Sequence, residues 1–254
     1  MYPKKFWNEL RLPKWPNEIF IGMWFEKNNT SERYDKIISK AIEQAPLKPR
    51  FFKEIITGDS IPIDIMTGII ECRLVLFDIS AITKIGQEYI RNPNVMYELG
   101  LANTWRNPEE VIITRDDDGR LPFDIQSNGV IKYDINDREK AIEEIKETIL
   151  FRLEQIEKIQ KSMVRKAAES LSIEAHNVLM SSKGKIFFIE NRKSIENILG
   201  IPMLLNLGLI EMLTDIKGYG YHPTHLGREV ILYYNQPLES DDIENYKTLH
   251  KLDY

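Results

Sequence analysis

The sequence predicts an α/β protein built on a doubly wound parallel sheet, and two observations support this prediction. Short apolar runs alternate along the first half of the chain with segments of helical periodicity. The run at 74–77 is continuously apolar and is followed by Asp78, which is typical of a parallel strand buried on both faces. Because ligands of such sheets bind beyond the carboxyl ends of the strands, the polar residues that follow each run are the first candidates for a site.

The predicted elements follow one another as expected for repeated β-α-β units. Tyr34, Ile37 and Ile38, for example, recur at helical spacing behind capping residues at 28–31. The predicted strands cover 20–25, 50–52, 74–78, 111–114 and 130–133. The predicted helices between them cover 34–42, 63–72 and 94–105.

The chain is predicted to contain two domains, which cover 1–158 and 159–254. Residues 137–181 are mostly helical in pattern and highly charged, so they close the first domain and lead into the second. An apolar turn at 207–210, a glycine- and aromatic-rich hairpin near 219–223 and a final helix capped by Thr224 follow. This order indicates a smaller winged-helix-like domain.

Composition and charge exclude several classes of protein. The formal net charge of −5 argues against a chain that coats nucleic acid through bulk charge, although it permits a local basic face. Cys72 is the only cysteine, so it is interpreted as a buried small hydrophobe, and neither disulfides nor a Cys/His zinc site are expected. No apolar run reaches the roughly 20 residues of a membrane span, and no signal segment is evident. We therefore expect a cytoplasmic protein without a metal site or membrane contact.

Two carboxylates are predicted to meet at the carboxyl edge of the sheet. Asp78 ends the strongest strand, and Glu98 lies one turn into a helix that Asn92 or Asn94 caps. We expect both acids to face one crevice, where one stabilises an oxocarbenium-like sugar centre while another group assists the leaving base. Gly100 costs this helix about 1 kcal/mol relative to alanine, which favours close helix–sheet packing or close approach of a ligand.

A nucleoside base or nicotinamide needs an aromatic wall, and several residues of the predicted edge supply one. Trp24 and Phe25 follow Gly22 at the end of the first strand, and Phe123 follows the fourth strand. Asp59, which flanks the second helix, is a further candidate for contact with the substrate. All of these residues are predicted to bind substrate together with the two asparagines.

Each feature also has an ordinary structural explanation. A glutamate in the first turn of any helix is favoured electrostatically, and aspartates at strand ends often cap the following loop. Residues 116–118 are interpreted as a solvated turn, because they lack the spacing and the closing glutamate of a calcium loop. His222 and His225 are interpreted as ordinary polar positions, since no third metal ligand is evident.

The segment 92–102 reads N-P-N-V-M-Y-E-L-G-L-A and resembles the hallmark of the nucleoside 2-deoxyribosyltransferase-like and TIR-like superfamily. The first strand, F-D-I-S at 77–80 and L-P-F-D at 121–124 agree with this resemblance, which spans roughly residues 17–150. It implies that Glu98 is the carboxylate that cleaves the N-glycosidic bond of nucleosides, nucleotides or NAD, and that Asp78 orients the substrate or assists the base. Residues 23–25, M-W-F, depart from the small residue and proline usual in these transferases, which leaves the identity of the base open.

A domain of this kind followed by a winged helix is similar in order to the effectors of bacterial retron defence systems. Those effectors associate with a reverse transcriptase and its RNA-linked DNA. The similarity implies a nucleic-acid or reverse-transcriptase partner, held through a basic face that includes Lys185, Arg192, Lys193 and Arg228. A winged helix used only for protein contacts is the alternative, and a homo-oligomer is compatible with either.

Three hypotheses on function follow. The first is an N-glycosidase that cleaves NAD or a related nucleotide or nucleoside, as a toxic effector of an antiviral defence system. It needs no cofactor, because the nucleotide is the substrate. The second is a catalytically silent nucleotide sensor whose C-terminal module docks DNA or a protein partner. The third is a DNA-binding regulator in which the first domain gates the winged helix.

Overall fold

A computed structural model of the chain describes residues 13–24, 30–51, 61–121, 125, 129–188, 194, 196–215 and 218–236. The chain divides into two compact units between Glu157 and Lys158, one residue before the boundary predicted from the sequence. Phe25, Asp59, Phe123, Arg192 and Lys193, all predicted to bind substrate or nucleic acid, lie outside the described residues. No helix in the described part of the chain is both long and apolar enough to cross a bilayer.

The first unit contains a five-stranded parallel sheet within its described residues. The sheet consists of β1 (Trp15–Met23), β2 (Lys48–Arg50), β3 (Cys72–Asp78), β6 (Val111–Arg115) and β7 (Ile131–Lys132). Two further strands, β4 (Thr83–Ile85) and β5 (Glu88–Ile90), form a separate small hairpin. The order across the sheet is β2-β1-β3-β6-β7, which is the 2-1-3-4-5 order of one of the two common doubly wound plans. The predicted fold class is therefore confirmed, and the strand order reverses between β1 and β3.

Helices cover both faces of this sheet. They are α1 (Thr30–Arg33), a π-helical turn (Tyr34–Ile38), α2 (Ser39–Glu43), α3 (Ile61–Glu71), α4 (Pro93–Trp105), a 3-10 turn (Pro108–Glu110) and α5 (Arg138–Glu169). The predicted helix at 63–72 therefore ends one residue early, because Cys72 already belongs to β3. The hairpin β4–β5 was not predicted, since its two strands have three residues each and are mostly exposed.

Strand β3 divides the core into two apolar clusters. Leu74 and Leu76 face the cluster that contains Ile145 of α5, whereas Val75 and Phe77 face the cluster that contains Leu99 of α4. Successive side chains of a strand point to opposite faces. A strand covered on both faces must therefore be apolar at every position, which explains the uninterrupted run in the sequence.

Helix α4 begins at a well-formed cap. The Asn92 side chain accepts hydrogen bonds from the backbone N–H groups of Asn94 (2.8 Å) and Val95 (3.2 Å), as the sequence predicted. Val95, Leu99 and Ala102 are buried against the sheet. Gly100 is exposed, and a Cβ atom there would meet nothing within 4 Å. The expectation that Gly100 permits close helix–sheet packing is therefore wrong.

The second unit contains a three-stranded antiparallel sheet with helices around it. Its elements are α6 (Ile173–Ser182), β8 (Phe187–Phe188), a π-helical turn (Glu196–Gly200), α7 (Ile201–Asn206), β9 (Ile210–Asp215), β10 (Gly218–Pro223) and α8 (His225–Tyr233). The strand order is β8-β10-β9. The predicted hairpin and the Thr224 cap are confirmed, since the Thr224 side chain accepts from the Gly227 N–H at 3.2 Å. The winged-helix assignment itself stays a prediction.

Helix α8 starts in close contact with the turn before β9. Thr224 donates its N–H to the carbonyl of Leu209 (3.0 Å) and its hydroxyl to the carbonyl of Gly208 (2.6 Å). A Cβ atom at Gly227 would lie 2.0 Å from the Leu209 carbonyl oxygen. Because that oxygen belongs to the backbone, the glycine is required for this packing.

We expect Gly227→Ala to lower the free energy of unfolding of the second unit by about 2 kcal/mol, because overpacking typically costs ~1–3 kcal/mol. The sequence has its four tryptophans at 7, 15, 24 and 105, so tryptophan fluorescence follows the first unit and circular dichroism follows both. In urea, the dichroism transition should begin earlier in the variant than in the wild type. As a control, Gly100→Ala should stabilise the first unit by about 0.5–1 kcal/mol. Equal midpoints for Gly227→Ala and wild type would contradict the prediction.

Candidate functional site

Helix α4 places Glu98 against the carboxyl end of β1. The Glu98 Oε2 atom lies 3.2 Å from the position that a Cβ atom on Gly22 would take. Gly22 pairs with Phe77 across β1 and β3, and the same Cβ atom would lie 2.4 Å from ring atoms of Phe77. Any side chain at position 22 would therefore displace Phe77 or crowd Glu98. The contact lies between β1 and β3, where the strand order reverses and doubly wound sheets bind their ligands.

The Glu98 carboxylate is partly buried and, among the residues that the structure describes, has neither a hydrogen bond nor an ion pair. Burial raises the pKa of Glu98 from 4.5 to about 7, since desolvation disfavours the charged form. No charge on a described residue offsets this effect. A carboxylate in this state is stabilised when a cation or a developing positive charge comes close to it.

Asp78 points to the opposite face of the sheet from Glu98. Phe77 packs in the cluster that contains Leu99 of α4, so its neighbour Asp78 must face the other layer. There the Asp78 carboxylate meets Tyr133, which belongs to the other cluster. The expectation that Asp78 and Glu98 face one crevice is therefore wrong, and the reason is the two-residue period of the strand.

Asp78 is enclosed by hydrogen-bond donors. Its carboxylate accepts from the Tyr133 hydroxyl (2.7 Å), the Thr114 hydroxyl (3.1 Å) and the backbone N–H of Ser80 (3.0 Å). Burial raises the pKa of Asp78, while the hydrogen bonds from Ser80 and Tyr133 and the charge of Arg33 act against this effect. These contacts join the ends of β3 and β6 to the segment after β7. A direct role of Asp78 in catalysis stays a prediction.

The other predicted substrate contacts divide into two groups. Asn94 is exposed and lies four residues before Glu98, so both side chains lie on one face of α4. Trp24 is partly exposed directly after β1. Asn92, in contrast, is buried, and its amide oxygen is occupied by the cap. The structure therefore brings Gly22, Asn94 and Glu98 together, whereas Asn92 serves as the N-terminal cap of α4.

Sequence reasoning missed a buried ion pair beside this site. Arg91 donates from Nη1 and Nη2 to both carboxylate oxygens of Asp117, at 2.9 and 2.8 Å. Both side chains are more than nine-tenths buried, and Asp116 forms a second ion pair with Arg33 at 2.8 Å. The interpretation of 116–118 as a solvated turn is therefore wrong for its first two residues. The sequence gives no signal for the pairing, because the partners lie far apart along the chain.

The predicted basic residues of the second unit are only partly described. Lys185 is partly buried. Arg228 donates to Nε2 of His222 at 2.6 Å, which leaves the proton on Nδ1 for Glu211 at 3.2 Å. His222 is thus an ordinary polar position, as the sequence indicated. Arg228 stabilises it through a hydrogen bond within the second unit.

The described residues contain no group of three or more His, Cys, Asp or Glu side chains that is arranged to hold a metal ion. Cys72 is fully buried at the start of β3. Burial raises the pKa of its thiol to about 12, so the thiolate that reactive cysteines need is not available. Its interpretation as a small buried hydrophobe is confirmed.

Comparison with known proteins finds similarity to solved structures, including a SEFIR domain and a flavodiiron core. No family model and no curated protein matches the chain. A prokaryotic SEFIR domain is similar with a TM-score of 0.37 and 16% identity, over 52% of this chain and 92% of that chain. The Flv1 flavodiiron core from Synechocystis sp. PCC6803 is similar with a TM-score of 0.37 and 12% identity, over 57% of this chain. This chain covers 37% of that second protein.

We expect Glu98→Gln to stabilise the first unit at pH 8 and to change its stability little at pH 4. The raised pKa means that the folded state holds a proton that the unfolded state loses, so stability falls as the pH rises from 4.5 to about 7. The full effect is at most about 3 kcal/mol and is reduced by screening, because the carboxylate is not completely buried.

The measurement is urea unfolding at a series of pH values, followed by tryptophan fluorescence. The exposed Glu88 of β5 offers the matched control, because Glu88→Gln makes the same substitution at the surface. If the Glu98→Gln difference is equally constant between pH 4 and pH 8, the carboxylate is not desolvated in the way described.

Proposed function

We propose that this protein is an N-glycosidase that cleaves the bond between base and sugar in NAD or a related nucleotide or nucleoside, with Glu98 as its catalytic carboxylate. The observation that carries the proposal is the Glu98 carboxylate itself. It lies partly desolvated at the reversal of the strand order, directly beside Gly22. The resemblance of 92–102 to the deoxyribosyltransferase-like and TIR-like superfamily supports the same assignment.

The environment of Glu98 suits a reaction that develops positive charge. When the N-glycosidic bond breaks, its electron pair leaves with the base nitrogen and the sugar becomes oxocarbenium-like. A carboxylate without an ionic partner gains more from this charge in the transition state than from a neutral ground state. Glu98 then either stabilises the cation or bonds to the anomeric carbon, and a water oxygen completes hydrolysis while releasing a proton.

The position of Asp78 bears on the choice of substrate. A neutral base needs a proton in order to leave, and Asp78 on the opposite face of the sheet is not placed to supply one. Nicotinamide in NAD is bonded to the sugar through a positively charged nitrogen, so it leaves as a neutral molecule without protonation. NAD is therefore the first substrate to test, with neutral nucleosides as the comparison.

For the second unit we propose a class of binding partner and no specific ligand. By its similarity in domain order to retron effectors, we propose that it binds a nucleic-acid or protein partner and that the whole protein acts in antiviral defence. Arg228 is engaged with His222, so a basic binding face would depend on Lys185 and the lysine and arginine at 192–193. A sensor that binds nucleotide without cleaving it is the competing function for the first unit.

We expect purified wild-type protein to release base from NAD or from a member of a nucleoside and nucleotide panel, and Glu98→Gln to reduce the rate at least about 100-fold. Chromatography of the released base is the measurement. Glu88→Gln is the control and should retain the wild-type rate. The value of kcat/KM should fall as the pH decreases through about 7, because protonation of Glu98 removes the charge that stabilises the transition state.

The outcomes separate the two functions. Glu98-dependent release identifies a glycosidase and its substrate class. Nucleotide binding by calorimetry without release identifies a sensor, and equal release by wild type and Glu98→Gln excludes Glu98 as the catalyst.

A further inference from the structure

Two buried arginines attach helix α4 to strand β3, one at each end of the helix. Arg91 directly precedes the cap residue Asn92 and donates to the carbonyl of Ile79, which follows β3. Arg106 is the C-terminal cap of α4 and donates to three carbonyls at the end of α3 and the beginning of β3. These belong to Ile70 (3.1 Å), Cys72 (2.8 Å) and Arg73 (2.8 Å).

The Arg91 attachment includes a second partner, Asp117, which follows β6. The Asp117 carboxylate accepts four hydrogen bonds, two from Arg91 and one each from the N–H groups of Ala81 (2.9 Å) and Gly119 (2.7 Å). Burial acts to raise the pKa of Asp117, but Arg91 and the two N–H donors outweigh it and hold the pKa below its usual range. One ion pair therefore joins the segment after β3, the start of α4 and the segment after β6.

This attachment lies at the same edge of the sheet as Glu98. Glu98 lies against Gly22 at the end of β1. Gly22 pairs with Phe77 of β3, which is two residues from Ile79 but five from Cys72. The depth of Glu98 between helix and sheet thus depends on how the N-terminal end of α4 is held at Ile79. The Arg106 attachment holds the opposite end of the helix, beside the amino end of β3.

We propose that Arg91 and Asp117 form a positioning pair that sets how deeply the Glu98 carboxylate is buried against the end of β1. The two residues hold the start of α4 at a fixed distance from β3 and do not touch the substrate. Their effect on catalysis rests on the proposed function, whereas their effect on Glu98 itself does not. A bidentate guanidinium is needed for this, because a lysine at position 91 keeps the charge but offers no planar fork.

The test compares Arg91→Lys with Arg106→Lys, which makes the same chemical change at the other end of the helix. Each variant is prepared with Glu98 and with Glu98→Gln, and the difference in unfolding free energy between the two forms is followed from pH 4 to pH 9. That difference changes with pH between the pKa of Glu98 in the unfolded chain and its pKa in the folded protein, so the pH above which it stops changing, the upper limit of the titration, reports the folded-state pKa. We expect this upper limit near 7 in wild type and in Arg106→Lys, and a decrease of about one pH unit or more in Arg91→Lys as water reaches the carboxylate.

Asp117→Asn is the second variant, since it retains an oxygen acceptor for Arg91 while removing the charge, and it should lower the upper limit of the titration in the same direction. If wild type releases base, both variants should lose about tenfold in kcat with little change in KM. The inference is overturned if the upper limit of the Glu98 titration stays near 7 in folded Arg91→Lys and Asp117→Asn, or if Arg106→Lys moves it as far. Failure of base release in wild type would reject the glycosidase and leave the titration result intact.

Discussion

The burial of strand β3 between two helical layers is the constraint on which the first unit depends. Every side chain from Leu74 to Phe77 is fully buried, so apolar contact is made on both faces. At its ends the strand exposes carbonyl groups that need partners, because an unpaired polar group inside a protein is costly. Arg106 at one end and Arg91 at the other supply donors, and helix α4, which these arginines flank, is thereby fixed to the strand.

Asp78 and Glu98, the two carboxylates at the carboxyl edge of the sheet, have different environments because they lie on opposite faces. Asp78 is surrounded by hydroxyl and N–H donors and joins strand ends together. Glu98 lies on the other face against Gly22, where it is partly desolvated and no described residue compensates its charge. Folding has to offset the cost of that burial elsewhere in the unit. Such a locally unfavourable arrangement is more typical of functional sites than of structural ones.

The second unit is held by contacts of a different kind. Its core packs α6, α7 and α8 against the hairpin β9–β10, and a backbone contact at Gly227 sets the approach of α8. His222 is buried between Glu211 and Arg228. Because the arginine is engaged within this network, its charge stabilises the hairpin and the final helix together.

The sequence by itself determined the fold class, the order of the sheet strands and the main helices in the first unit, and the location of Glu98 one turn into α4. These follow from local signals: a continuous apolar run, helical periodicity, and an asparagine–proline cap. Only the tertiary structure decided which face of the sheet each carboxylate occupies, that Asp117 is paired with Arg91, and that Gly100 is exposed. A polar residue at a strand end can face either layer, and an ion pair between residues 26 positions apart has no local signature. Both depend on how the layers pack, which no short segment of the chain encodes.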